Sequence, residues 1–326
     1  MRFIIPNFRA PDSFTDNVAD TLIDMGHDVF TMPHPATGTT SQAGRFMVDV
    51  SQRLFPKAWS EQERWLVKMA RQIKPDVILA ITQHIKDEVI AEAKKVSPGL
   101  RAVAWWGDPP ANLRGMNLLT KSWDVIFAKD PNLVRKLQWL NLNAHLLHEA
   151  MNPKWHYPGA SSRSGTVVVA GTYYGFRQAL VKRLGELGVP LDLYGVKPPR
   201  WADKFVATSH SNRYIIRDEK SRIFSSASVN LNSMTLSEGM SLNCRAFEIC
   251  GAGGFQLIES KEIIETCFEP GREVICFNSI EAIIESFNRV TVDLDWWQRV
   301  KEAGQKRAIS EHTYTHRLSV LLSHVS

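Results

Sequence analysis

A chain of 326 residues, 44% hydrophobic and 22% charged, can bury the cores of two ordinary domains, which excludes a mainly disordered protein. Lysine and arginine outnumber aspartate and glutamate by 39 to 34, a formal charge of +5 that favours an anionic partner: nucleotide, nucleic acid, phospholipid head group or acidic glycan. No apolar run approaches the roughly 20 residues that span a bilayer, and the opening Met1–Pro6 is too short for a secretory signal. Four cysteines (Cys244, Cys250, Cys267, Cys276) have no C-x-x-C spacing and read as reduced thiols of a cytoplasmic protein, not a disulfide frame or zinc site.

Two segments share one layout. In the first, strand Arg2–Pro6 leads to a helix over Phe14–Met25, then Gly26 and strand Asp28–Met32. In the second, strand Thr166–Gly171 leads to a helix over Phe176–Leu187, then Gly188 and strand Leu191–Gly195. A glycine just past each helix supplies the left-handed residue that ends it at least steric cost. Strand–helix–strand at this spacing is the βαβ unit of a parallel sheet. After an insertion-like stretch, Pro35–Ala58, the first half continues with helix Glu61–Ile73, strand Asp76–Ile81, helix Ile85–Lys95 and strand Arg101–Trp106. Strand Asp124–Ala128, a helix from Pro131 and strand Ala144–Ala150 close it, and the Pro/Gly/Ser-rich Asn152–Gly165 reads as a linker. The second half continues with a helix near Glu219–Phe224, strand Ala227–Asn232, helix Ser241–Cys250, and strands Gly254–Ile258 and Glu273–Phe277. Helices Ile280–Asn288, Asp295–Ile309 and Thr313–His324 end the chain. The expectation is an α/β protein with Rossmann-like domains at 1–152 and 166–308 and a terminal helix in 309–326. Ligands of such sheets sit beyond the carboxyl ends of the strands, so the strand-end loops are where chemistry is expected.

The first strand–loop has no G-x-G-x-x-G. The second carries Gly171, Thr172 and Gly175 between strand and helix, with Arg177 entering the helix. Small residues let backbone N–H groups approach a phosphate and the arginine can add a bidentate contact; the alternative is glycines that serve the turn alone. In "SLNCRAFEICGAGGFQLIE", Arg245 and Glu248 lie three apart on one helical face after Asn243, and Gly251, Gly253 and Gly254 follow. Arg245 could meet a diphosphate and Glu248 the ribose hydroxyls; the alternative is an intrahelical ion pair with a glycine cap. Between Lys197 and Arg222, seven basic residues face three acidic ones, and Arg200, Trp201 and Arg213 are candidates for contacts to phosphate or acceptor. His84, after a strand, could reach the same region or be an ordinary surface histidine. Asp108 ends an apolar strand in "AVAWWGDPP", where it is either a general base or a turn-forming residue before Pro109 and Pro110. The Asp293-Leu294-Asp295 string precedes a helical pattern, so Asp293 reads as an N-cap, not half of a metal-binding D-x-D.

The segment Asn243, Arg245, Phe247, Glu248 and Gly251–Gly254 resembles the nucleotide-binding signature of GT-B glycosyltransferases, particularly the spore-maturation (CgeB-like) family. The resemblance covers most of the second half and is looser in the first; in layout the chain also resembles the phage DNA β-glucosyltransferase. It implies a GT-B fold, two Rossmann-like domains facing across a cleft, the first binding acceptor and the second a nucleotide-diphosphate sugar, UDP-linked in the leading case. It further implies Glu248 on ribose, Arg177 and Arg245 near phosphate, Asp108 as base, no bound metal, and no cofactor beyond the donor substrate. The two-glutamate variant of the signature is not present, since Met240 stands where the first would fall. A bacterial or surface saccharide is the first acceptor choice and hydroxymethylated pyrimidine in duplex DNA the second. A non-catalytic nucleotide-sugar-binding module and a sugar-nucleotide epimerase are the alternatives of another class. The implied location is cytoplasmic, compatible with peripheral attachment to the inner membrane.

Overall fold

A computed structural model describes residues 1–33, 58–113, 118–159 and 163–325. The Pro35–Ala58 stretch lies outside these apart from Ala58. The chain divides into two compact units, one of Met1–Asp108, Asn112–Leu147 and Leu318–Ser326, the other of Pro109–Ala111 and His148–Arg317.

The first unit is a six-stranded parallel sheet. Its strands are β1 (Arg2–Phe8), β2 (Asp28–Met32), β3 (Val77–Ile81), β4 (Arg101–Trp106), β5 (Val125–Ala128) and β6 (Ala144–Leu146), in the order β2-β1-β3-β4-β5-β6. Helices α2 (Glu61–Ile73), α3 (Asp87–Val96) and α4 (Pro131–Trp139) pack on one face, where Ile78, Ala104, Trp106 and Ile126 meet Leu66, Ile90 and Leu137 in one cluster. Helix α1 (Phe14–Asp24) sets Phe14 edge-on against Trp105, whose side chain leaves β4 opposite to that of Trp106. On this sheet the ring of His324 lies edge-on to Phe127, 5.4 Å between centroids. Alternating strands buried on both sides are what a parallel sheet covered by helices requires. Helix α2 spans Glu61–Ile73, as its periodicity predicts, and begins with a full capping box between Ser60 and Glu63.

The second unit is a five-stranded parallel sheet of β7 (Val167–Ala170), β8 (Leu191–Tyr194), β9 (Val229–Asn232), β10 (Gln256–Glu259) and β11 (Ile275–Phe277). The order is β11-β10-β9-β7-β8. Helices α5 (Gly175–Glu186), α6 (Lys204–Ser209), α9 (Ile280–Val292) and α10 (Leu294–Glu311) build one core with Val169, Leu231 and Leu257. Helices α7 (Arg217–Ser226) and α8 (Arg245–Gly251) supply the other face through Phe224, Phe247 and Ile249. Helix α11 (Tyr314–Ser323) ends the chain.

Several local expectations need correction. Helix α8 begins at Arg245, not Ser241, because Ser241 Oγ is committed to Glu238 and the Asn243 side chain accepts from the Ala246 N–H instead of entering the helix. Helix α6 was not anticipated; Asp203 caps it, and Phe205 packs where a side chain on Gly185 would stand. Directly after Asp108 and Pro109 the chain makes a 3₁₀ turn over Pro110–Asn112, which a leading proline permits. Leu147 closes the first unit and His148 opens the second, ahead of the Pro/Gly/Ser-rich stretch, whose first residues fold locally through a Trp155 N–H to Asn152 carbonyl bond. Asp293 is the N-cap of α10, its carboxylate accepting from the Trp296 N–H at 2.9 Å.

Candidate functional site

In the second sheet the strand order reverses between β7 and β9, and a parallel α/β sheet offers its ligand crevice at that point, beyond the strand ends. Gly171 follows β7 and Ser233 follows β9. Gly171 has φ +129°, a conformation in which a side chain is strained. A Cβ there would stand 2.7 Å from Arg245 Nη1 and 3.1 Å from Arg177 Nη1. Gly195, which closes β8, has φ +131°, and its missing Cβ would fall on the Gly171 carbonyl oxygen. The two turns therefore touch, joined by the Gly171 N–H to Tyr194 carbonyl bond at 3.0 Å. Gly195 was not singled out in the sequence, although a glycine closing "LDLYG" was a signal for this approach.

The two arginines at this turn differ in kind. Arg177 is 3% exposed; its Nε and Nη2 donate to the Ser233 hydroxyl and carbonyl at 3.0 and 2.5 Å, and its Nη1 donates to the Thr172 carbonyl at 2.5 Å. It ties the β7 turn to the end of β9 across the reversal. Burial first, and the Arg245 charge second, push its pKa down to about 9, so it stays protonated at neutral pH. Arg245, first residue of α8, is half-buried, and its guanidinium makes no hydrogen bond or ion pair among the described residues. The Thr172 hydroxyl is likewise without a partner among them. Helix α5 starts behind Tyr174 with no side-chain cap, leaving its first N–H groups toward the same turn. An unpaired cation, a second cation behind it and an uncapped helix start make a site for an anion.

Glu248, one turn along α8, is 4% exposed. Lys220 Nζ lies 3.0 Å and His156 Nε2 3.7 Å from the same carboxylate oxygen, Oε1. Arg245 and Glu248 are thus not an intrahelical ion pair; each keeps its own role. Oε2 has no hydrogen bond or ion pair among the described residues. Asn243 exchanges amide hydrogen bonds with Asn232 at 3.1 and 2.9 Å, and Asn232 also donates to Gln256. This buried ladder fixes the start of α8 and hence the base of the Arg245 side chain.

Gly253 has φ +68°, and the atoms nearest its missing Cβ are those of Gln305 and Pro158; a Cβ on Gly254 would strike Asn230 and the Phe224 carbonyl. The glycine run after α8 allows close approach to protein. The basic stretch does not form one ribbon: Arg213 pairs with Glu219 and lies over the Tyr194 ring, and Lys220 is buried on Glu248. Arg200 is exposed, as is Trp201 at 69%.

In the first unit Asp108 stands half-buried past the end of β4 and accepts from the Asn112 amide at 3.1 Å. The preceding Gly107 donates its N–H to Thr82 Oγ1 at 3.0 Å. Thr82 has φ +49°, strained for a β-branched residue, and was not anticipated. His84 is half-buried with its ring 5.1 Å from that of Trp106.

Residues 176–323 match the sequence profile of a family described as "Glycosyl transferase-like". No curated protein is similar enough in sequence to count as a relative. Among solved structures, the chain is similar to sucrose-phosphate synthase from Thermosynechococcus elongatus, with TM-score 0.67, 13% identity, and 99% of this chain and 98% of that one covered. It is similar to Anabaena Alr3699/HepE in complex with UDP-glucose, with TM-score 0.68, 10% identity and 99% of each chain covered. It is also similar to α,α-trehalose 6-phosphate synthase from Burkholderia multivorans, with TM-score 0.65, 11% identity, and 100% and 98% covered. The chain shares with these structures a fold of two parallel α/β sheets, the GT-B architecture, and its match to the glycosyl transferase-like family lies in residues 176–323.

Proposed function

We propose that this glycosyltransferase takes a uridine-diphosphate sugar at the β7/β9 reversal and moves the sugar to a hydroxyl of a saccharide acceptor. The observation that carries the reading is Arg245, a half-buried guanidinium with no hydrogen bond or ion pair among the described residues, set against Gly171, where a Cβ would stand 2.7 Å from Nη1. In the reaction the acceptor oxygen attacks the anomeric carbon, the bond from that carbon to the β-phosphate oxygen breaks, and UDP leaves with the electron pair. Arg245, the first N–H groups of α5 and the Thr172 hydroxyl would receive the charge developing on the diphosphate. Arg177, each of whose three nitrogens donates within the protein, holds the turn in shape and acts on the diphosphate through its field. Glu248, with Oε1 paired to Lys220 and His156 nearby, has Oε2 to accept from the ribose hydroxyls. Asp108 would take the acceptor proton, which implies inversion. No step of this scheme calls on a metal ion. The carbohydrate chemistry named for the similar structures supports the donor and the saccharide acceptor. The break-up of the basic stretch into ion pairs leaves duplex DNA with less support than the sequence suggests.

The test is a thermal-shift panel of UDP, GDP, ADP and UDP-glucose. UDP and UDP-glucose should raise Tm selectively; a panel with no shift, or equal shifts for every nucleotide, contradicts the reading. Asp108→Asn should leave the UDP shift intact and abolish transfer; surviving transfer removes Asp108 as base.

A further inference from the structure

Every strand of a parallel sheet begins at one edge, opposite the edge that carries the ligand loops. In the first unit the half of that starting edge under β4, β5 and β6 has an unusual charge pattern. Lys95 lies in the last turn of α3, Arg101 opens β4, Lys121 precedes β5, and Lys136 lies in the last turn of α4. All four are exposed, and none of their side chains makes a hydrogen bond or ion pair among the described residues. Of the acids near this edge, Asp124 is paired with Lys94 at 2.9 Å, and the carboxylate of Asp76, which precedes the neighbouring β3, accepts from the Arg2 N–H at 2.6 Å. From Pro131 to His148 the sequence has no acidic residue. Helix α4 turns Leu133, Val134 and Leu137 into the core, so Lys136, Trp139 and Leu140, at i, i+3 and i+4, share its outer face. Trp139 is 71% and Leu140 52% exposed at the helix end.

We propose that this edge of the first unit rests on an anionic lipid surface, with Trp139 and Leu140 entering the interface and Lys95, Arg101, Lys121 and Lys136 meeting the head groups. Cations alone would suit any polyanion. The lipid assignment comes from an exposed tryptophan and leucine side by side at the end of α4, one turn from Lys136 and on the same starting edge as the other cations, since an indole ring prefers the head-group level of a bilayer and an exposed leucine prefers its hydrocarbon boundary. The surface is built from residues remote in the sheet from Asp108 at the other strand end, so it serves attachment and not the chemistry. The inference is independent of the donor reading, because it uses no residue of that site.

Co-sedimentation of the full chain with vesicles tests it, using phosphatidylcholine alone and phosphatidylcholine with phosphatidylglycerol in equal parts. The chain should sediment with the anionic vesicles only, and less as salt rises. Each cation near the surface contributes about five-fold in partition, so K121E/K136E should weaken binding by at least about 25-fold. W139S/L140S should weaken it several-fold while the charge is unchanged. Both variants alter exposed side chains, and a Tm unchanged from the wild type would establish that they are folded. Equal binding to neutral vesicles, or variants that sediment like the wild type, would overturn the proposal. Binding to a duplex oligonucleotide in place of vesicles, lost in K121E/K136E, would overturn it in favour of a nucleic-acid surface.

Discussion

Replacing Arg245 by alanine separates a ligand-binding arginine from a structural one. The guanidinium has no hydrogen bond or ion pair among the described residues and stands beside Arg177, whose own pKa it helps to depress. Its removal therefore deletes no native hydrogen bond and relieves a like-charge contact, so stability should change by no more than about 0.5 kcal/mol. Donor affinity should fall much further. A hydrogen bond to a charged group contributes roughly 1.5–3 kcal/mol, which corresponds to a rise in Kd for UDP of about 10- to 150-fold. Calorimetric titration with UDP, paired with urea unfolding of both proteins, reads the two effects separately. A variant that loses several kcal/mol of stability, yet binds UDP like the parent, would refute the reasoning, because Arg245 would then be part of the packing.

Gly171→Ala forces a side chain into a φ of +129° and against Arg245 Nη1, so it should cost about 1–3 kcal/mol in stability and weaken UDP binding as well, both measurable in the same experiments. Lys220→Met removes the cation paired with the buried Glu248 carboxylate, and should destabilise the fold by about 3–5 kcal/mol in urea melts. Adding Glu248→Gln to that variant should restore part of the loss. His312 Nε2 donates to the Cys267 carbonyl, 2.7 Å away, in a site where burial lowers its pKa from 6.5 to about 4. The unfolded chain binds that proton more readily, so stability should fall by about 3 kcal/mol as pH drops from 6.5 to 4 and be insensitive to this group above 6.5. Urea melts of His312→Gln across that range should show a shallower pH slope than the parent; an identical slope would assign the pH dependence elsewhere.

Local signals carried much of the architecture. Helical periodicity marks α2 to the residue, Gly26 and Gly188 adopt the left-handed φ their positions call for, and Asp293 caps α10. The placement of Gly171 at a strand–helix turn was equally legible, because strand ends and glycines are read from neighbours in sequence. The partners of charged groups were not. Arg177 and Arg245 look alike as basic residues near turns, yet one is bonded to Ser233, 56 residues away in the chain, and the other has no partner among the described residues. Glu248 looks like an isolated carboxylate until Lys220 is folded onto it. The buried Asn230 and Asn232 in β9 mimic the alternation of a half-solvated strand; both are 1% exposed and spend their amides on the Phe224 carbonyl, Asn243 and Gln256. Burial and long-range pairing decide these cases, and neither has a short-range signature.

The most direct measurement of the central claim is a crystal structure with UDP bound. The account predicts the diphosphate within hydrogen-bond reach of the Arg245 guanidinium and of the Gly171–Thr172 turn, with a ribose hydroxyl on Glu248 Oε2. A diphosphate bound elsewhere, with Arg245 left facing solvent, would contradict it.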